Sequence, residues 1–302
     1  MTRSSTPADV ERRSHSYRLV LGAMVTSLVL AFVLALYIHQ RFTTYTPRAV
    51  YHLPDQIESA VWLNVEQTIG FDVFKRAVLP AVEFERTAPE PRLKHLERRT
   101  SLELDVDTRE FLFARVNKTT WLAIVGGLYR RDKLKEGLVR LFEDESIPTS
   151  LHGELVVTQS GHAFGLAKDG VLIVSNSQAV ATQALEESST GLDWKVLLHK
   201  PGTLMNLMSF SQAGHFAGVP VCKESGRRCW VSFEPGEPLH LHLERVAGAA
   251  RSSDPGELPF KTAEWRAQSG PEGISNFTTT VEPPAFWNTI SAWQYELTEI
   301  VW

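Results

Sequence analysis

Residues Leu19 to Ile38 run for twenty positions without a charge, LVLGAMVTSLVLAFVLALYI. At a helical rise of about 1.5 Å per residue, such a run reaches about 30 Å, the thickness of a bilayer's hydrocarbon core. The expected organisation is a tail over 1–18, a transmembrane helix over 19–39 and a stalk over 40–54. An α+β region over 55–200 and a β-rich region over 201–302 follow, within one domain or closely packed. The run exceeds the apolar core of a cleaved signal peptide, about 7–15 residues. Its exit, Leu36-Tyr37-Ile38-His39-Gln40, puts large residues where a peptidase needs small ones. A retained signal-anchor is the expectation. Arg3, Arg12, Arg13 and Arg18 precede the run, and Arg41 and Arg48 follow it closely. Basic residues stay on the cytoplasmic side. The N-terminus is therefore expected in the cytoplasm, and residues from about 40 onward in the periplasm of a bacterial inner-membrane protein.

One face of the span is patterned. Ala23, Ser27, Ala31 and Ala35 recur at every fourth position. Small residues at that spacing form a ridge along which a second helix can approach closely. The partners this implies are the bilayer itself through 19–38, and a second membrane protein or a second copy of this chain.

The net charge of the chain is −4. No basic nucleic-acid-binding surface is indicated. The two cysteines, Cys222 and Cys229, flank the turn signal Ser225-Gly226 in VPVCKESGRRCWVSF. A two-residue turn there sets them opposite each other on a hairpin, within reach of a disulfide in an oxidising compartment.

Along the exported part, extended segments are expected at 59–65, 102–106, 110–116, 119–128, 154–158, 163–167, 171–174, 204–210 and 274–281. Helices are expected at 71–86, 92–99, 133–143 capped by Asp132, 177–185 capped by Ser177, and 194–199. Pro235-Gly236 signals a type II turn. Leu239, Leu241 and Leu243 alternate with His240, His242 and Glu244, the pattern of an antiparallel strand with one buried and one wet face. The final segment carries Phe286, Trp287, Trp293 and Trp302 on an amphipathic helix, a candidate partner surface or domain closure. Trp62-Leu63-Asn64-Val65, Trp121–Val125 and Val171–Val174 each lead into a helix, an echo short of a repeat. The fold class read from these patterns is α+β, a mainly antiparallel sheet with helices packed on one face.

Few residues carry chemistry. Asp105-Val106-Asp107 is a D-x-D, which can hold a divalent cation on nucleotide-sugar phosphates, and with an anchor it suggests a glycosyltransferase. It also fits the polar side of an alternating strand. Asn117-Lys118-Thr119 and Asn276-Phe277-Thr278 are glycosylation sequons. His240 and His242 share a strand face but lack a third ligand at any readable spacing. Ser160-Gly161-His162 lacks the G-x-S-x-G elbow. No catalytic, cofactor-binding or metal set emerges. The chain resembles bacterial single-pass, signal-anchored proteins with uncharacterised exported α+β domains. That resemblance is carried by Leu53-Pro54, Val61–Val65, Trp121–Leu128 and Gly170–Ser175, covers roughly 50–187 and implies no activity. The function expected is a non-enzymatic interaction or scaffold component of an envelope complex. A tethered glycosyltransferase or ligand-binding domain is the alternative.

Overall fold

A computed structural model of the chain describes residues 45–70, 92–128, 130–186, 198, 200, 202–210, 215–216, 219–220, 229–236, 238–246, 264–268 and 274–282. Met1–Thr46 and Pro47–Trp302 separate as two compact units. The second unit is α+β and is built on one large antiparallel sheet. Its strands are β1 (Ser59–Asn64), β2 (Thr108–Arg115), β3 (Trp121–Gly127), β4 (Thr149–His152), β5 (Leu155–Thr158), β6 (Ala163–Leu166) and β7 (Leu172–Ser175). They continue with β8 (Met205–Ser209), β11 (Cys229–Glu234), β12 (Leu239–Val246), β13 (Arg266–Gln268) and β14 (Ile274–Val281). The order across the 12-stranded sheet is β13-β14-β12-β11-β8-β1-β2-β3-β7-β6-β5-β4. The short strands β9 (His215–Phe216) and β10 (Val219–Pro220) pair apart from it. The helices are α1 (Val65–Gly70), α2 (Arg92–Thr100), α3 (Leu104–Asp107), α4 (Arg131–Asp144) and α5 (Gln178–Leu185), with a 3-10 turn over Ala49–His52.

The strands of the two regions meet at the antiparallel pair β1–β8, with Ser59 opposite Ser209 and Leu63 opposite Met205. Outward from it the two sides run alike. One reads β1-β2-β3-β7-β6, the other β8-β11-β12-β14-β13. On each side three strands follow in chain order, the chain then makes an excursion, and the last strand returns to fourth place beside its predecessor. The internal echo in the sequence compares neighbours within the first half. The likeness in topology instead relates one half to the other, and residues 201–302 share a single sheet with 55–200.

Helices cover both faces of the first half, not one. On β3, Leu122 and Ile124 point to one face and Val125 to the other, as strand alternation requires. The first face packs Leu112, Leu122, Ile124, Leu155, Val157 and Ile173 against Val50, Leu53 and the α5 residues Ala181 and Ala184. The opposite face packs Val156, Leu166 and Leu172 under Leu134, Leu138 and Phe142 of α4. The physical reason lies in the strands. β3, β5 and β7 are apolar at successive positions, which demands cover on both sides. The outer half behaves differently. Leu239, Leu241 and Leu243 are buried while His240 is exposed, as the alternation in β12 predicts.

Local chemistry sets the element ends. Ser177 caps α5 by accepting the Val180 N–H at 3.5 Å. Asp132 does not cap α4, which begins one residue earlier, after Arg130. The far end of α4 closes in a Schellman motif. The Ile147 N–H reaches Phe142 O at 2.8 Å and the Ser146 N–H reaches Glu143 O at 3.1 Å. Ser146 takes the left-handed φ of 55° that glycine usually supplies. The residues expected as a stalk end differently. Ala49, Val50 and Leu53 are core residues, at most 1% exposed. Gly236 lacks the positive φ of a type II turn and lies close to the Pro238 carbonyl. Residues expected as a strand at 102–106 form the short helix α3 instead. The helices expected at 71–86, over most of 194–199 and at the end of the chain lie outside the described residues.

Gly137 of α4 lets that helix touch α2. A Cβ there would run into the Arg99 carbonyl oxygen and the Thr100 Cα. Alanine gains about 1 kcal/mol of helix propensity over glycine. Overpacking against fixed backbone costs about 1–3 kcal/mol. Gly137→Ala is therefore expected to lower the stability of the unit by up to about 2 kcal/mol in chemical denaturation, the net of those effects. Gly70→Ala, where nothing lies within 4 Å, is expected to be neutral or slightly stabilising. Equal stability of the two variants would show that α2 and α4 do not meet at Gly137.

Candidate functional site

Three clusters of polar side chains and one open edge are the places where this domain could act. The first cluster lies inside the core. Glu110 of β2 is 0% exposed. It stands in the row where β2 faces Asn64, two positions from Leu112, which faces Trp62. Its Oε1 accepts the backbone N–H of Arg48 at 2.6 Å and of Ala49 at 2.8 Å. Its Oε2 accepts the indole N–H of Trp62 at 2.8 Å. The carboxyl group thus holds the start of the 3-10 turn to the sheet, using N–H groups that a helix start leaves unpaired.

Three residues on, His52 is 1% exposed. Its Nδ1 lies 2.7 Å from the Ala184 carbonyl, in the last turn of α5. Its Nε2 lies 3.1 Å from Oδ2 of Asp169, in the β6–β7 turn. Burial by itself would raise the Asp169 pKa. The hydrogen bond and charge of His52, the Val171 N–H and the more distant Arg48 outweigh it, and the carboxyl is held below its ordinary value of 3.8. The sign of the linkage follows. Asp169 contributes stability that is present above 3.8 and is lost as pH falls through its lower folded value. An Asp–His pair brings a catalytic relay to mind, but here the second ring nitrogen is taken by a backbone carbonyl. No nucleophile can sit there, and the arrangement is a structural tie.

The second cluster is the polar face of the outer half-sheet. Asn206, Ser232, His242 and Thr278 stand in one cross-strand row. Asn206 Oδ1, Ser232 Oγ and the neighbouring Trp230 Nε1 are buried without a protein hydrogen-bond partner. Polar groups so placed are commonly met by internal water. Lys200 pairs with Glu234 at 2.9 Å and lies 5.5 Å from the Trp230 ring centre. Burial, then Lys200, lowers the His242 pKa, with Glu244 and Glu234 opposing. His242 is therefore mainly neutral at neutral pH.

The sequence-predicted residues fare unevenly. Asp107 sits on α3, and its Oδ2 accepts the Glu103 N–H at 2.8 Å. The D-x-D thus lies on a helical turn, and Asp107 closes that turn onto itself. His240 and His242 share a face as expected, yet no group of three His, Cys, Asp or Glu residues able to hold a metal occurs among the described residues. Ser160 and His162 do meet, Oγ to Nδ1 at 2.9 Å. They form a third cluster, with Thr158 continuing the chain at 2.9 Å and the Trp121 ring 5.9 Å from the imidazole. These groups close the β5–β6 turn. Asn117 caps the β2–β3 turn through the Thr119 and Thr120 N–H groups.

The residues opposite Cys229 in the sheet do not include the other cysteine. Cys229, 4% exposed, has Ser209 and Arg245 as its cross-strand neighbours. Residues 219–220 pair back with 215–216 instead. β11 is claimed by the large sheet because Val231 and Phe233 must be buried there. Cys222 lies outside the described residues, as do Ala23, Ser27, Ala31, Ala35, Phe286, Trp287, Trp293 and Trp302. Among the described residues no helix is long and apolar enough to cross a membrane.

Of the two edge strands among the described residues, β13 carries Arg266, while β4, which sequence reasoning missed, carries no such charge. All four of its residues are exposed, and Leu151 is 67% exposed. β4 joins β5 through the two-residue turn Gly153-Glu154, with His152 opposite Leu155 and Gly153 at φ 62°. The pair flanking such a turn exchanges both hydrogen bonds, so alternation turns the backbone groups of Thr149 and Leu151 away from β5. TSLH carries no Lys, Arg, Asp or Glu to guard that edge.

No protein-family model, curated protein or solved structure matches the chain.

Removing the Glu110 acceptor leaves buried N–H groups unpaired, at about 1–3 kcal/mol each. Glu110→Gln keeps one acceptor oxygen and turns an NH2 toward donors. It is expected to cost about 2–4 kcal/mol, and Trp62→Phe, which leaves one buried carboxylate oxygen unpaired and opens a cavity, a similar amount of about 2–4 kcal/mol. Urea unfolding of the full chain measures both. Glu110→Gln within about 0.5 kcal/mol of wild type, the scale of one weak hydrogen bond, would remove Glu110 as the anchor.

Proposed function

We propose that this chain is a membrane-anchored, extracytoplasmic interaction component of a bacterial envelope complex, with no catalytic role. The observation that carries the reading is the β4 edge. A partner that supplies an extended segment gains main-chain hydrogen bonds at Thr149 and Leu151 and an apolar contact on the Leu151 side chain. The hydrophobic run 19–38 supports the anchor, and the arginines before it support export of the domain. Cys222 and Cys229 form a disulfide in this reading, one that ties the 211–228 connection to the start of β11 without the two cysteines lying opposite each other in the sheet. The alternative of a tethered glycosyltransferase loses support from the Asp107 carboxylate, which bonds its own turn.

The partner is an extended segment of another envelope protein, and pairing of two β4 edges is a competing outcome. A photocrosslinking residue placed at 151 in the full chain, in native membranes, distinguishes them. A discrete heterologous adduct is expected, and an adduct of twice the chain's mass would replace it with self-pairing. Leu151→Lys is expected to lower affinity capture of the partner about tenfold, as loss of an apolar contact of about 1.4 kcal/mol does. No adduct, together with unchanged capture, would overturn the edge as the docking site. For the anchor, Ala31→Leu is expected to abolish association of the isolated span in a membrane two-hybrid readout. Undiminished association would discard the Ala23–Ser27–Ala31–Ala35 ridge.

A further inference from the structure

The buried His52 site has a chemical asymmetry that its geometry makes explicit. The Ala184 carbonyl can only accept a hydrogen bond, so Nδ1 carries a proton. An ionised Asp169 can also only accept, so Nε2 carries one as well. Both contacts, at 2.7 and 3.1 Å, are satisfied together only by a ring that carries a proton on each nitrogen. A positive charge also suits the place. Ala184 lies at the C-terminal end of α5, where unpaired carbonyls and the helix dipole favour a cation.

We propose that His52 is a proton-operated clasp that closes the entry segment of the domain. With two protons it ties residues 49–52 both to the end of α5 and to the β6–β7 turn. When the ring loses one proton, one of its nitrogens turns a lone pair to an acceptor oxygen, and one of the two ties is lost. The groups around it define the switch. Asp169 faces it from the β6–β7 turn, where the adjacent Lys168 is exposed. Arg48 lies on its own segment and acts on Asp169. Glu110 comes from β2 and is bound to the N–H groups of Arg48 and Ala49. β3 presents Leu122 and Ile124, and α5 (QAVATQAL) carries no ionisable side chain. His52 is therefore the group in this cluster whose charge changes between pH 5 and 8 in its unperturbed form, and the fold sets where on that scale it acts. The sign is fixed: the clasp is closed at the acid end of that range and opens as pH rises.

The test is amide hydrogen exchange of the full chain in detergent micelles across pH 5–9, corrected for intrinsic exchange. Opening is expected to speed corrected exchange at residues 49–53 and 169–171 about 10–100-fold at the alkaline end, the scale of one charge-assisted hydrogen bond. Amides of β3 and β12 serve as the reference that stays protected. Asp169→Asn offers either an oxygen or an NH2 to the ring, so it suits both protonation states. In that variant the pH step is expected to vanish while the segment stays protected. His52→Gln is expected to give fast exchange in the segment at every pH. Flat protection in the wild type from pH 5 to 9 overturns the clasp, as does an undiminished pH step in Asp169→Asn. If His52→Gln fails to fold, the Asp169→Asn comparison decides alone.

Discussion

The Glu110 carboxyl group is the contact on which the first half of this domain depends. It is buried, sits on a central strand and takes three N–H donors from two other parts of the chain. A carboxylate in the interior is expensive unless each lone pair is used. Here the cost fixes an arrangement: Trp62 must present its indole edge, and the chain entering the domain must present the amides of Arg48 and Ala49. Once they do, Val50 and Leu53 are carried onto the sheet face, where Leu112, Leu122 and Ile124 lie. The entry segment becomes part of the core through one residue located about sixty positions later in the chain. His52 fastens the same segment at its other end, to Asp169 and to the last turn of α5. Two buried carboxyl groups from different strands and turns hold a stretch only a few residues long.

The sheet around that centre solves two burial problems. Near β3, β5 and β7 the strands are apolar on both faces, so α4 with α2 covers one side and α5 with the entry segment covers the other. In β12 the leucines alternate with histidines, and one face stays polar. The likeness in strand order between the halves therefore does not extend to their chemistry. One half is a three-layer core. The other offers a polar face, where Ser232 and Asn206 are buried and His242 is kept neutral by burial and by Lys200.

Much of the strand map is legible from the sequence, because period-two alternation and short apolar runs with turn residues between them are strong local signals. β12 and β14 follow from that pattern, and Ser177 marks α5 by its side chain. What fails does so where a long-range demand outranks a local one. Ser225-Gly226 is a good turn signal, yet Val231 and Phe233 belong beneath the large sheet, so β11 pairs with β8 and β12 and the cysteines do not face each other. Asp105-Val106-Asp107 alternates like a strand, but Asp107 closes a helical turn onto Glu103. The successive apolar residues of β3 and β5 could have revealed that helices lie on both faces. β4 could not be found this way: TSLH has neither alternation nor bulk, and it becomes a strand because the Schellman turn at Ser146 and the hairpin at Gly153 leave it no other path. Glu110 was invisible for a different reason. A lone glutamate in an alternating strand reads as a solvent-facing residue until its three distant donors are known.

That last case bears on where function can sit in such a fold. Its strongest polar interactions, at Glu110 and at His52–Asp169, are sealed in the core and serve to hold the entry segment. The groups left over for an encounter with another molecule are weaker and lie outside: the unguarded backbone of β4 with Leu151, and the polar face beside Trp230. The proposed encounter at β4 draws on main-chain groups and the Leu151 side chain, and leaves both ties of the entry segment intact. The fastening also has a direction. The clasp at His52 lies between the entry segment and the turn of the same β-meander that ends in β4, since β4, β5, β6 and β7 are paired in succession. Four strands paired in succession, β7-β6-β5-β4, separate that turn from the edge.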